Sequence, residues 1–380
     1  MDESNIKIGV PAQIIPPIEK NLEITKKIEE YGYDSMWYPD HLMGWIPDSI
    51  WTEDLVPLAK YQKSPHIYLE TFSLIAAHSV ITKKIKMGIA VSETLRRHPA
   101  QMAQIMLTLD QLSKGRVIFG IGAGEAENTI PYGIDYSKPV SKLEENLRII
   151  RLFMNNPHKK VNYEGKFWKI NDAVIGLEPY NNITPPIWIG AHGPRMLEIT
   201  AELADGWIPV NPPIDEYKQK LNIIINHAKK IGRDISNFTP AIYFYTVLTK
   251  DHNTCHEVMN TPLAKAWTLT AFDSFFTKHG HKHPLSEVLN KDKINPLTDY
   301  IPTRLSRKDA LNCINNIPFS VIEDFFFHGN ADDAIHLIEN YSKIGCKYFV
   351  LWNFTGMFAL EKYKESNEVL LQVFDYFKNS

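Results

Sequence analysis

Eight short apolar, β-branched runs, beginning near residues 7, 35, 84, 116, 186, 206, 240 and 347, alternate with longer amphipathic stretches. Parallel strands joined by crossover helices produce that alternation, and eight is the number that closes a (β/α)8 TIM barrel. An open doubly wound sheet would need unusually many parallel strands. KIGVPAQI (7–14) reads as the first strand, followed by a helix over 17–32 with apolar Ile18, Leu22, Ile24 and Ile28 and a C-cap at Gly32. The pattern next predicts a strand at SMWYPD (35–40), stopped by Pro39, a helix over 70–82, a strand over 84–94, a helix over 98–115 and a strand over 116–125. A helix over 142–155, a small hairpin at NYEGKFWKI, and strands at PPIWIGAHG (185–193), GWIPVN and AIYFYTVLTK continue the series. Residues from about 253 to 330 break the rhythm and read as an insertion within one domain spanning 1–380, after which KYFVLWNF and a helix close the barrel.

Charge narrows the class of partner. The net charge of -3, from 41 basic and 44 acidic residues, speaks against a nucleic acid or a polybasic membrane contact. Cys255, Cys313 and Cys346 are scattered and odd in number, so neither a disulfide framework nor a thiolate zinc site is indicated. Nowhere do eighteen apolar residues run together, and the short apolar stretch after MDESNIKIGV is not a signal sequence. A cytoplasmic protein acting on a small molecule fits these features.

In a barrel of this kind, function gathers where strands end and loops begin. IFGIGAGEAEN (118–128) supplies G-x-G, but Glu125 stands where a dinucleotide fingerprint wants glycine or alanine, and the strand is the fourth rather than the first. Its glycines let backbone approach a ligand, Asn128 offers an amide, and Glu125 reads either as an acid or base or as a solvated loop carboxylate. Asp40-His41 opens DHLMGWIPDSIW, where His41 reads as a proton carrier or as a hydrogen-bonded loop histidine, and Trp45 and Trp51 either wall a ring-shaped ligand or pack the loop. Arg96-Arg97-His98 could meet an anionic tail or form a charged loop. His279, His281 and His283 in HGHKHP read as a solvated loop, and no metal site is expected. No G-x-x-x-x-G-K-[ST], H-E-x-x-H or G-x-S-x-G occurs at these places, which leaves redox or proton chemistry around a bound ring.

Taken together, DSMWYPDHL (34–42), GIAVSETLRRHPAQMAQIMLTLDQLSKGRVIFGIGAGEAEN (88–128) and PIWIGAHGPRMLEITAELADGWI (186–208) resemble the bacterial luciferase-like superfamily, in particular its branch dependent on the deazaflavin coenzyme F420. DHLMGWIPDSIW with RRHPAQ looks most like the phthiodiolone ketoreductase subgroup. The resemblance implies a (β/α)8 barrel of the luciferase-like type with an insertion before the last helix and strand. It further implies a deazaflavin lying over a bulge at Ala90-Val91, with a non-proline cis peptide there and Ser92 following. By the same likeness Asp40 binds the coenzyme, His41 is the catalytic acid or base, and Glu125 is a second proton-transfer group. Ala123, Gly124 and Asn128 contact the coenzyme, while Gly190, Ala191, Gly193 and Pro194 hold its phosphate-bearing tail at a helix N-terminus.

The activity so implied is hydride transfer between F420 and an alcohol/ketone pair, in a homodimer. FMN is the alternative cofactor, with luciferase-like monooxygenation; a methylene-tetrahydromethanopterin reductase and a non-catalytic flavin-binding protein are further alternatives. Two departures bear on substrate. The lysine that sugar-phosphate dehydrogenases of the family use is missing from NPPIDEY after GWIPVN, and Pro11 stands where the pterin reductases carry a carboxylate in strand one. A larger or more apolar alcohol or ketone fits the tryptophan-rich loop better.

Overall fold

In a computed structural model that describes residues 6–379, each of the eight runs contributes one strand to a closed parallel barrel. The strands are β1 (Lys7–Pro11), β2 (Ser35–Tyr38), β3 (Lys86–Ile89), β4 (Val117–Gly122), β5 (Ile187–Ile189), β6 (Gly206–Trp207), β7 (Thr239–Leu248) and β8 (Tyr348–Asn353). Each pairs in parallel with the next, and β8 returns to β1 through the register Lys7↔Tyr348 and Gly9↔Val350. Outside lie α1 (Ile18–Tyr31), α2 (Thr71–Ile81), α3 (Pro99–Ser113), α4 (Pro139–Met154), α5 (Pro194–Leu203), α6 (Ile214–Lys230), α7 (Ala331–Lys343) and α8 (Tyr363–Asn379). No helix among the described residues is long and apolar enough to cross a membrane.

Period-two alternation along the strands divides the core. One face of β1 to β4, with Ile8, Val10, Met36, Met87, Ile89, Phe119 and Ile121, packs under the helices. The other fills the barrel interior with Trp37, Ile118, Trp188, Tyr243, Tyr348 and Val350. Trp37 and Trp188, with ring centroids 5.4 Å apart, take up space that a smaller residue must yield. Gly9 and Gly88 flank Trp37, and a Cβ on either would come within 2.5 Å of its ring system.

Two readings of the elements change. The strand expected over 84–94 is broken: β3 stops at Ile89, the Ala90–Val91 peptide is cis, and pairing resumes at Ser92–Glu93 against Ile121 and Gly122. On α1 the apolar stripe is not what is most buried. Asn21 and Thr25 are fully buried while Ile18 is exposed, because both polar side chains bond the buried ring of His78 on α2, as does Tyr38 Oη at 2.7 Å. A polar knot between helices thus replaces part of the apolar seam.

The insertion folds as short helices between β7 and α7, around a second apolar core that includes Trp267, Phe276, Tyr300 and Phe326. That core also takes in Trp45, Ile46 and Ile50 from the loop after β2. Its last residues rejoin the sheet, where Phe327–Gly329 pairs with Thr246–Leu248 of β7. HGHKHP is not uniformly solvated. His281 is exposed and His279 lies 2.7 Å from Asp324, but His283 is buried against Phe276 and receives the Leu285 N–H.

Candidate active site

The strand ends open into a cavity of about 440 Å³, inside the range that binds small organic molecules and cofactors. Its walls come from the loop after β2 (Asp40, His41, Trp45), the bulge after β3 (Ala90, Val91, Ser92), the loop after β4 and the loop after β5. The insertion supplies the opposite wall, including Trp267, Phe272, Phe275 and Phe325. One strap closes beside the glycine loop, where Ala126 N–H donates to Leu297 O and Tyr136 Oη donates to Gly124 O at 2.8 Å.

The proton-carrying groups converge on one amide. Asn128 Oδ1 accepts from the backbone N–H groups of Leu42 (2.7 Å) and Met43 (3.3 Å), which fixes the orientation of the amide. Its NH2 therefore faces the other way, 2.7 Å from His41 Nδ1, 2.7 Å from Glu127 Oε1 and 3.3 Å from Glu125 Oε2. An amide donates, so His41 Nδ1 must accept, and the neutral ring carries its proton on Nε2. Two N–H bonds cannot serve three acceptors equally, and Glu125 is the most distant.

Burial raises the Glu125 carboxyl well above the ordinary carboxylate range, and the negative charge of Glu127 pushes it further. Burial also pushes Glu127 up, to about 8. The side chain of Glu127 has no exposed surface and its Oε2 has no hydrogen-bond partner, whereas Glu125 is 26% exposed and lines the cavity. The pair therefore holds a proton at neutral pH, with Glu125 facing the cavity.

Asp40 is buried in an ion-pair network. Its Oδ2 accepts from Ser92 Oγ at 2.6 Å and lies 2.8 Å from Arg96 and 2.9 Å from Arg97. Burial would raise this carboxyl, but the two guanidinium groups outweigh it and hold Asp40 below its usual range. Arg96 also pairs with Glu93 at 2.5 Å, and Arg97 with Glu70 at 3.2 Å. These arginines thus belong to a charged loop and are not a free anion site, since they pair with Asp40, Glu93 and Glu70 and brace the loop after β2 against the bulge after β3.

Other expected residues divide between cavity and support. Ala123, Gly124, Gly190 and Gly193 line the cavity, but Ala191 is buried behind it, its carbonyl accepting from Trp207 Nε1, and Pro194 opens α5. Gly193 caps α5 without a side chain, so no side-chain oxygen takes the first-turn N–H groups, which suits an anion. Trp45 lines the cavity, stacked on Tyr300, while Trp51 bonds Gln62 O and packs the insertion core. Tyr243 Oη and Trp267 Nε1, both in the wall, are buried with no hydrogen-bond partner. Unpaired polar atoms in a chamber walled by aromatic and polar side chains fit a flat polar ring such as a flavin or deazaflavin.

Several of these residues are not apparent from the sequence. Glu127 sits two positions from Glu125 in GEAEN, and only folding separates a cavity-facing carboxyl from a buried one. Tyr68, 5.6 Å from His41, and Tyr243 lie in segments that read simply as loop and strand.

The chain is 32% identical over 323 residues, 84% of its length and 83% of the relative's, to a phthiodiolone/phenolphthiodiolone dimycocerosates ketoreductase of Mycobacterium sp. (strain JLS). Its fold matches an F420-dependent secondary alcohol dehydrogenase with a TM-score of 0.71 at 19% identity, covering 97% of this chain and 99% of the other. It also matches the coenzyme F420 dependent tetrahydromethanopterin reductase of Methanopyrus kandleri, with a TM-score of 0.68 at 20% identity, covering 96% and 99%. Residues 4–348, from ahead of β1 to the start of β8, match the luciferase-like monooxygenase family, and the chain belongs to it.

Proposed function

We propose that this protein is an oxidoreductase that interconverts an alcohol and a ketone by hydride transfer with coenzyme F420. The observation that carries the reading is the proton relay at the cavity: Glu125 carries a raised pKa and faces the chamber beside a tautomer-fixed His41. Ketone reduction needs one hydride and one proton. When bound, the deazaflavin supplies the hydride and reacts poorly with oxygen, so the protein has only to seat the substrate and manage the proton.

In this reading the bulge at Ala90, Val91 and Ser92 supports the coenzyme ring, and the α5 N-terminus with Gly190 and Gly193 receives its phosphate-bearing tail. Asp40 acts mainly by bracing, since Arg96 and Arg97 consume its charge. His41 Nε2–H orients the substrate oxygen, and Glu125 delivers the proton to it. In the reverse direction Glu125 accepts that proton. Trp45, Phe272 and Phe275 favour an apolar substituent on the carbon bearing that oxygen. The ketoreductase relative and the fold shared with an F420-dependent secondary alcohol dehydrogenase support this substrate class.

Absorbance of reduced F420 should fall when the protein is mixed with a panel of apolar ketones, and His41→Ala or Glu125→Gln should lower kcat by about 10² to 10⁴-fold. Tight FMN binding with oxygen-dependent turnover and no deazaflavin oxidation would instead establish the monooxygenase alternative. Coenzyme binding with full turnover in both variants would sink the assigned proton relay.

A further inference from the structure

We propose that His252, His256 and His328, with Glu323, form a binding site for a divalent transition cation of the zinc type, a clasp at the neck of the insertion and separate from the catalytic cavity. His252 and His256 stand four apart on the helix His252–Met259, a spacing that puts both rings on one face. His328 comes from the short strand Phe327–Gly329 that pairs with β7, where the chain leaves the insertion. One ring nitrogen from each lies within 4.8 Å of the others, and the ring centroids are 4.6, 4.8 and 5.3 Å apart. None of the four residues lines the cavity.

Three imidazoles side by side are a poor structural motif on their own, because each protonation repels the next and each neutral ring needs partners. Such partners are few here. His256 Nε2 is buried and makes no hydrogen bond, although Glu323 Oε1 lies 3.3 Å away, and no hydrogen bond to His252 occurs among the described residues. His328 Nδ1 contacts Phe326 O at 3.2 Å. A carbonyl only accepts, so His328 carries its proton on Nδ1 and presents the lone pair of Nε2, the arrangement in which a backbone carbonyl orients a ligating histidine.

Three imidazole nitrogens, with the Glu323 carboxylate 3.3 Å from His256, make a donor set suited to zinc, cobalt or nickel, and too nitrogen-rich for magnesium or calcium. Tetrahedral ligation places nitrogens roughly 3.3 Å apart, so the rings need close by only about 1 to 1.5 Å. Cys255 is not a ligand: its Sγ turns to Val247 O and Thr249 Oγ1.

A cation held here ties the first helix of the insertion to its last strand and to the helix Phe319–Phe325, which carries Glu323 and also places Phe325 in the cavity wall. Three histidines with the Glu323 carboxylate beside His256 suit a structural cation rather than a catalytic one.

The full chain, purified without a histidine tag and stripped with chelator, would be titrated with ZnCl2 by calorimetry and with CoCl2 by visible absorption. The expected result is one high-affinity Zn2+ per chain, the intense visible bands of tetrahedral Co2+, and a melting temperature that rises with added Zn2+. His252→Ala, at an exposed position that leaves the fold intact, should weaken binding at least tenfold and bleach the Co2+ bands, and His252→Ala/His328→Ala should abolish both. Glu125→Gln should change neither. Absence of binding by the parent chain, or unaltered stoichiometry and spectrum in His252→Ala, would overturn the proposal; binding lost only in Glu125→Gln would assign the cation to the cavity instead.

Discussion

Asn128 Nδ2 lies 2.7 Å from His41 Nδ1, and the same side chain is anchored through Oδ1 to the Leu42 and Met43 N–H groups. The loop after β4 therefore sets the tautomer of a residue on the loop after β2. Asn128→Ala should remove that control, leaving His41 free to place its proton on Nδ1, and should lower kcat by about 10²-fold. Coenzyme affinity, measured by fluorescence quenching, should change far less. The opposite split, with kcat retained and affinity lost, would make Asn128 a coenzyme contact and nothing more.

Glu127 touches the same amide from below and never meets the cavity. Once Glu127 ionises, near pH 8, its charge adds to burial in holding the proton on Glu125. Glu127→Gln keeps the shape and an acceptor for Asn128 but deletes the charge, so the Glu125 pKa should fall. Ketone reduction needs Glu125 protonated, and its rate declines as pH rises through that pKa. The basic limb of the kcat profile should accordingly move to lower pH in Glu127→Gln, while the reverse reaction should become less dependent on high pH. An unmoved limb would separate Glu127 from the relay.

The barrel was legible because its signal is local. Period-two strands, amphipathic helices and the glycine that ends α1, with φ +88°, each declare themselves within a few residues. Asp40, His41 and Glu125 were legible for the same reason, as they follow directly on strand ends. What stayed hidden depends on distance. Asn21 and Thr25 look like a helix's solvent face until His78 arrives from α2, and Arg96 and Arg97 look like an anion site until Asp40 and Glu93 claim them. The insertion gave up least, because Trp267 and Phe325 reach the cavity only through packing of short helices with weak individual periodicity.

Gly88 tests the packing that sets the barrel. A Cβ there would lie 2.4 Å from Cε3 of Trp37, a buried indole held by its Nε1 bond to Ser35 Oγ at 2.7 Å. With Trp188 and Tyr348 packed against it, that ring has little room to retreat. Gly88→Ala should cost about 1–3 kcal/mol in chemical denaturation, by overpacking rather than by any backbone conformation. Gly88→Ala/Trp37→Phe should recover part of that loss, and a double variant no better than the sum of its parts would place the strain elsewhere.

Acid should loosen the insertion through His283. Its Nδ1 accepts the Leu285 N–H at 3.1 Å and its Nε2 meets Ala271 O at 3.2 Å, so both nitrogens are committed to the neutral ring. Burial pushes this histidine down from the ordinary 6.5 to about 4, and His78 shifts in the same direction for the same reason. The folded chain then binds fewer protons than the unfolded chain between those values, so stability is full above about pH 6.5 and falls as pH drops towards 4. A shift of this size corresponds to about 3 kcal/mol as an upper bound for each ring. Melting temperature should fall steadily from pH 6.5 to pH 4, and His283→Gln should flatten part of that slope while lowering stability at neutral pH. Parallel curves for parent and variant would mean that His283 protonates without opposing the fold, and that the acid sensitivity lies in His78 and the helices it joins.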